Sequence, residues 1–495
     1  MAPQRIRAEA IAIRQGCIAS VGAWDDVAPF SGGVPVRDLG GQTVLPGFID
    51  SHVHFTWTGL KEAAIDFWGA ECVEDVGDIL QLAASGTSPG DLLFGMGLNH
   101  YLFTDRRLPS RTELDAAAPG HPVFIVGVTG HYSLANTRCL HDLAIPAGTP
   151  GLDPDGLLRD RANELAERSM RTRFAQERGS AELHRAAARR AVSVGLTTVH
   201  ALEGNDQPDD PLVLELLAKS PELPVRLVVW YQTTDVDAVL ELGLPRIGGC
   251  LLLDGDFGPH TAALLEPYND QPDTTGTLYY TQEELDAFVL AAHAAGLQIA
   301  LHAVGDRAAE QALNAYERAL EAVPRKDHRH RIEHFEIYDR TLAQRARGLG
   351  VHLAIQPAFN LYFGGHTRLN PLLGQERALR SDPVRSLIDA GVQVGGGSDS
   401  TVTPLDPLYG VHCAVNHSNA NERLDVDRAL KLYTLDNAYL GHEEAGKGSI
   451  EVGKLGDLVV LGENPTAVDP AAIADIRVEM TVVGGVPVYT RGEVA

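Results

Sequence analysis

The chain has 495 residues, 44% hydrophobic and 22% charged, a length that predicts one large domain plus a smaller one. Its formal net charge of −25 argues against a nucleic-acid partner, whose phosphates it would repel. No stretch approaches the roughly 20 apolar residues that span a bilayer, and the first residues lack a signal-peptide layout, so a cytoplasmic protein without membrane contact is expected. Five scattered cysteines without CxxC spacing do not make a disulfide framework; one that matters would act as a thiolate ligand or nucleophile.

Residues 8–44 read as short strands with glycine turns, at Ala10–Ile13, Ile18–Val21 and Val36–Leu39. The C-terminal part repeats the style at Asp457–Leu461, Met480–Val483 and Val486–Tyr489. Together they predict a small β-sandwich domain built from both chain ends, residues 1–44 and 441–495. Between them, apolar runs alternate with alanine-rich helical periods, the pattern of a parallel β/α array over residues 45–440. The expected strands are Val44–Asp50, Leu196–Leu202, Val225–Tyr231, Cys250–Asp254, Gln298–Leu301, Arg329–His334, His352–Gln356 and Val392–Gly397. Helices are expected at Leu183–Val194, Gln282–Ala295, Ala308–Val323, Leu342–Gly348 and Pro383–Ala390. Eight strands with such helices predict an α/β fold, a closed (β/α)8 barrel. The lack of a GxGxxG after the first strand weighs against dinucleotide binding. Residues 57–191, roughly 140 residues, far exceed what a βα unit needs. They read as a subdomain inserted near the barrel mouth, with strands at Leu92–Leu98 and Pro122–Val128.

The strongest chemical signal is Pro46–His54, PGFIDSHVH. Two positions apart on a strand, His52 and His54 point to one face and make half a site for zinc or a similar cation. His302 ends an apolar strand in HAVGDRA, where Gly305 permits a turn and Asp306 suits a helix N-cap. His334 ends RIEH, and Asp399 closes GGGSD. Singly, these are ordinary core histidines or a helix cap; jointly, four strands deliver metal-competent groups to one rim, where barrel active sites lie.

PGFIDSHVH, LHAVGDRA, RIEH and GGGSD, in this order, resemble the amidohydrolase superfamily. The likeness is to the branch that includes N-substituted formamide deformylases. Gly130-His131, DGDFGPHTA at Asp254–Ala262 and PYND at Pro267–Asp270 are similar to the same branch, and the likeness runs from about residue 8 to 490. It implies a divalent cofactor, zinc in the first place and one or two ions, held by His52, His54, His302, His334 and Asp399. It also implies hydrolysis of an amide-like C–N bond of a small molecule. Asp399 would then take the proton of the activated water and hand it to the leaving nitrogen.

Two departures stand out. Relatives usually carry a carbamylated lysine four residues before the DG, where this chain has Cys250. None of its six lysines is expected at a C-terminal strand end. Cys250 is open to two readings, a thiolate that binds or bridges metal and a small buried hydrophobe. Glu203 is a further candidate carboxylate, and a one-ion site stays open. Relatives also usually have a strand or two before Ala10, so the start reads as shortened or as lying downstream of the true one.

His131 and Gln356 are candidate substrate contacts, the first weighed against a surface role and the second against barrel packing. Trp57, Phe359, Tyr362 and Phe363 read as an apolar wall or as loop packing, and His200 and His328 as structural. A homodimer is among the assemblies open to the chain. Two other functions compete: a deaminase or ring-opening hydrolase on a cyclic amidine or imide, and a degenerate, non-catalytic binding protein. A nicotinamide-dependent barrel reductase would not need these histidines.

Overall fold

The computed structural model describes residues 8–32, 35–100, 103–105, 107–128, 130, 132–204 and 210–493. The chain forms two compact units, residues 1–55 with 188–495, and residues 56–187.

The first unit is built on eight parallel strands, Phe48–Val53, Leu196–Glu203, Arg226–Tyr231, Arg246–Leu252, Gln298–Ala303, Arg331–His334, His352–Ile355 and Val394–Gly396. They hydrogen-bond in chain order. Barrel strands one and eight meet through a parallel bridge between Val53 and Ser400. There Asp399 N donates to His52 O at 2.8 Å and His54 N to Ser400 O at 3.0 Å. This is the (β/α)8 barrel the alternating pattern predicts. Gly397 sits at the seam, where a Cβ would meet His52 Cβ at 2.7 Å and His52 N at 2.9 Å; only glycine lets the two strands approach so closely.

Expected and observed strands differ where proline and glycine fall. Val44–Asp50 is two strands. Thr43–Pro46 pairs antiparallel with Leu458–Leu461, and Phe48–Val53 enters the barrel. Pro46 has no N–H to extend a ladder, and Gly47 N turns to Asp457 O at 2.9 Å. The fourth barrel strand starts at Arg246 rather than Cys250, because Gly248 and Gly249 lie inside it and not in a turn. Gly248 has φ +87°, and a Cβ on it would meet Ala300 O at 2.1 Å. Cys250 is therefore mid-strand and inward. Val36–Leu39, expected as a strand, has no regular structure. Gly305, not Asp306, caps the helix Asp306–Ala322.

Thr43–Pro46, Leu458–Leu461, Val478–Val483 and Val486–Thr490 form one antiparallel sheet, and Ala10–Arg14 with Cys17–Gly22 form a hairpin. Leu458, Val460, Met480 and Val482 pack there with Ile11, Ile13 and Val44. The second unit has a mixed five-stranded sheet over a core that includes Phe67, Leu80, Leu93, Val123, Ile125 and Leu134. Two of its strands, Leu93–Leu98 and Val123–Gly127, lie where apolar runs predict them. No helix among the described residues is long and apolar enough to cross a membrane.

Candidate metal centre

The C-terminal ends of the barrel strands bring the predicted residues together. His52 is fully buried on strand one, and the His54 ring lies 5.5 Å from it, centroid to centroid. His334 stands 4.9 Å from His52 and 4.4 Å from His302, again between ring centroids. Cys250 Sγ projects between them, 3.6 Å from His302 Nδ1 and 4.0 Å from His334 Nε2. Asp399 Oδ1 lies 3.3 Å from His52 Nε2 and 3.1 Å from His54 Nε2.

These contacts make three groups whose donor atoms lie within 4.8 Å of one another: His52, His54 and Cys250; Cys250, His302 and His334; His52, His334 and Asp399. All six residues read from the sequence as metal candidates join at least one group, and Cys250 is common to two. Glu203 ends strand two, buried, and belongs to none of the three. Gln356 Oε1 lies 2.8 Å from His334 Nδ1, and its Nε2 reaches Ala354 O only at 3.4 Å. His131 lies outside the described residues.

Backbone strain accompanies the site. His334 and Asp399 have φ of 75° and 51°, the left-handed region that non-glycine residues rarely occupy. Alternation along Arg331–His334 would send His334 to the face opposite Glu333. The turn at His334 ends the strand just where its imidazole joins the ring of ligands. Asp50 ties the seam: its carboxylate accepts from Ser398 N at 3.0 Å and from His52 N at 3.0 Å. Burial pushes the Asp50 pKa up to about 6 against these bonds.

The electrostatics favour a cation. Burial opposes a thiolate at Cys250, yet the imidazoles of His302, His334, His52 and His54 outweigh it and hold the thiol well below its usual range. Burial likewise opposes charge on Asp399, and His52 and His54 hold its carboxyl well below the ordinary range. Burial disfavours the His54 imidazolium, while Asp399 and Cys250 lift its pKa to about 10. Two anionic groups thus face four imidazoles in a nearly dry pocket. His52 Nε2, His302 Nε2 and Asp399 Oδ1 are buried without a hydrogen-bond partner, a costly state that a bound cation would relieve. Nitrogen, thiolate and carboxylate donors are the set that zinc accepts, so the residues fit a divalent ion.

Residues 35–489 match the pattern described as the amidohydrolase family. The chain belongs to this family. Putative amidohydrolase YtcJ of Bacillus subtilis is 29% identical, over 98% of this chain and 96% of the relative. The N-substituted formamide deformylase of Arthrobacter pascens is 27% identical, over 98% of this chain and 95% of the relative, in keeping with the branch the motifs resemble. Among solved structures, an uncharacterized metal-dependent hydrolase from Pyrococcus horikoshii superposes with a TM-score of 0.79. It is 26% identical, and the match covers 93% of this amidohydrolase and 94% of that chain.

Sequence reading treated two neighbours of this amidohydrolase's site only as letters of a motif. Arg331 and Glu333 are fully buried, and Glu333 Oε2 lies 2.7 Å from His52 Nδ1. The signal was available: opposite charges two apart on a strand share a face, and a barrel strand's inner face is dry. Asp254 was also only part of a motif. Its carboxylate accepts from Ala263 N, Val304 N and Gly305 N at 2.8–3.0 Å and stands 3.5 Å from His302 Nε2.

Proposed function

We propose that this amidohydrolase cleaves an amide-like C–N bond in a small molecule, not a peptide bond of a protein. His52, His54, Cys250, His302, His334 and Asp399 would hold the divalent metal, zinc in the first place. The observation that carries the reading is the gathering of these six donor side chains into three overlapping groups, with Cys250, His52 and His334 each belonging to two. The name of the Arthrobacter pascens relative, a deformylase of N-substituted formamides, supports an open-chain amide as substrate. A bound ion supplies Lewis acidity, lowering the pKa of a coordinated water toward about 7 and stabilising charge on a carbonyl oxygen.

The chain's own residues do the rest. Asp399, between His52 and His54, accepts the proton of the attacking water. Water oxygen bonds to the carbonyl carbon, the C–N bond breaks, and Asp399 returns the proton to the departing nitrogen. Its carboxyl, held well below the usual range by His52 and His54, is unprotonated at neutral pH. Gln356 orients His334 through Nδ1. Five of the six side chains are buried and His54 is 21% exposed, so bulk water has little access to the group.

The test is a panel of N-substituted formamides, other secondary amides, cyclic imides, cyclic amidines and dipeptides, assayed with zinc-loaded and chelator-treated protein. Release of free amine from an open-chain amide, lost on chelation and restored by zinc, is expected. Turnover confined to cyclic substrates would move the assignment to a ring-opening hydrolase or deaminase. A metal content far below one ion per chain after gentle purification would overturn the hydrolase reading and favour a non-catalytic binding protein.

A further inference from the structure

Resting on that reading of His52 as a ligand, we infer that Glu333 and Arg331 are positioning residues that hold the His52 proton on Nδ1, leaving Nε2 to the metal. Glu333 Oε2 stands 2.7 Å from His52 Nδ1, with both side chains fully buried. An ionised carboxylate can only accept a hydrogen bond, so the short contact requires a proton on Nδ1. Nε2 is then the nitrogen turned toward Asp399 Oδ1, 3.3 Å away, and is the one left to an ion.

Arg331 makes this arrangement rigid. Its Nε donates to Glu333 Oε1 and its Nη2 to Glu333 Oε2, each at 2.8 Å, a fork that fixes the plane of the carboxylate. Nη2 also donates to Ser51 O at 2.8 Å and Nη1 to His200 Nδ1 at 2.9 Å. The guanidinium lies 4.5 Å from the Trp230 ring centroid. A lysine has one nitrogen and could not reach these four acceptor atoms, on three residues, at once. The pair also keeps the buried charge balanced, one positive against one negative, so that Glu333 does not need His52 as a counter-ion.

His52 is set apart by how close its carboxylate stands: Glu333 Oε2 is 2.7 Å from its Nδ1, whereas Asp254 Oδ1 is 3.5 Å from His302 Nε2. His334 Nδ1 meets the neutral amide oxygen of Gln356 at 2.8 Å, and His54 Nδ1 meets the Leu202 carbonyl at 3.3 Å. His302 points Nδ1 at Cys250. A carboxylate behind the ring makes an imidazole a stronger donor than a carbonyl does. His52 belongs to two of the three donor groups, so a change behind it acts on the centre without touching a ligand.

Glu333→Gln keeps the shape but not the pattern. In either orientation its amide NH2 must face a guanidinium donor, so the fork fails and His52 is no longer held to one proton arrangement. The experiment is zinc affinity by chelator competition for the unmodified chain, Glu333→Gln and Glu333→Asp. It is read beside the proton spectrum of the zinc-loaded protein with 15N-labelled histidine. We expect a strongly downfield, slowly exchanging His52 Nδ1 proton in the unmodified chain. Zinc should bind roughly 10–100-fold more weakly to Glu333→Gln, and Glu333→Asp should recover part of the loss by restoring the charge. The spectrum needs no variant, so a poorly folding substitution does not spoil the test. Zinc bound by Glu333→Gln within twofold of the unmodified chain, or no protected Nδ1 proton, would overturn the inference. An unmodified chain that binds no zinc would instead overturn the metal reading beneath it.

Discussion

His52 and Asp399 face each other across the seam where the barrel closes, Nε2 to Oδ1 at 3.3 Å, while Asp399 N donates to His52 O at 2.8 Å. The bond that joins the first strand to the last thus also sets the distance between a ligand and the proposed proton acceptor. Closing the sheet and assembling the site are one event.

Asp399→Asn follows from that arrangement. The amide keeps an oxygen for the ion but cannot take a proton, so kcat should fall by about 10²–10⁴-fold with zinc content only partly reduced. Steady-state kinetics and elemental analysis on the same preparation check this. Near-normal turnover would remove Asp399 from its role.

Cys250 is the point where two donor groups meet. Cys250→Ala should lower zinc content by about one ion per chain, and Cys250→Ser should keep part of it, since a hydroxyl is a poorer ligand than a thiolate. Zinc should also shield the thiol from alkylation. Unchanged stoichiometry in Cys250→Ala would make the residue a small buried hydrophobe.

Asn437 staples the seam from behind, its Nδ2 donating to Ile49 O at 2.6 Å and Gly396 O at 2.7 Å. Asn437→Ala strands two buried carbonyls, a loss of about 2–4 kcal/mol. Thermal unfolding should show a drop of several degrees in the transition of this unit. A shift of less than one degree would mean that the carbonyls find other partners.

Acid should destabilise the side of the barrel that carries His352. Burial, then His328 and Arg329, hold the His352 pKa down at about 4, against an ordinary value of 6.5. Between pH 6.5 and 4 the unfolded chain binds a proton that the folded chain refuses, so stability present above 6.5 is lost as pH falls. Tm measured against pH should decline over this window, with a shallower slope in His352→Gln. Equal slopes would show that His352 does not contribute.

Much of this was legible in the sequence because strand ends announce themselves. An apolar run that stops at His302, His334 or Asp399 places a polar group on a rim, and glycines near His302 and Asp399 permit the turns there. The seam glycine, Gly397, lies within the same motif as Asp399. What escaped reading depends on contacts between distant segments. Gly248 and Gly249 look like a turn, and only the Ala300 carbonyl across the strand explains them inside the sheet. Val36–Leu39 has strand-forming residues but no partner strand. The spacing of Glu333 and Arg331 shows that they share a strand face, but the contact of Glu333 with His52, 281 positions away, exists only once the barrel is closed.

The most direct measurement is an anomalous difference map at the zinc edge from crystals of the zinc-loaded protein. Density is expected between Cys250 and the pair His52 and His54, and between Cys250 and the pair His302 and His334, with Asp399 in reach of the first. Zinc found only elsewhere on the chain, or no peak among these six side chains, would contradict it.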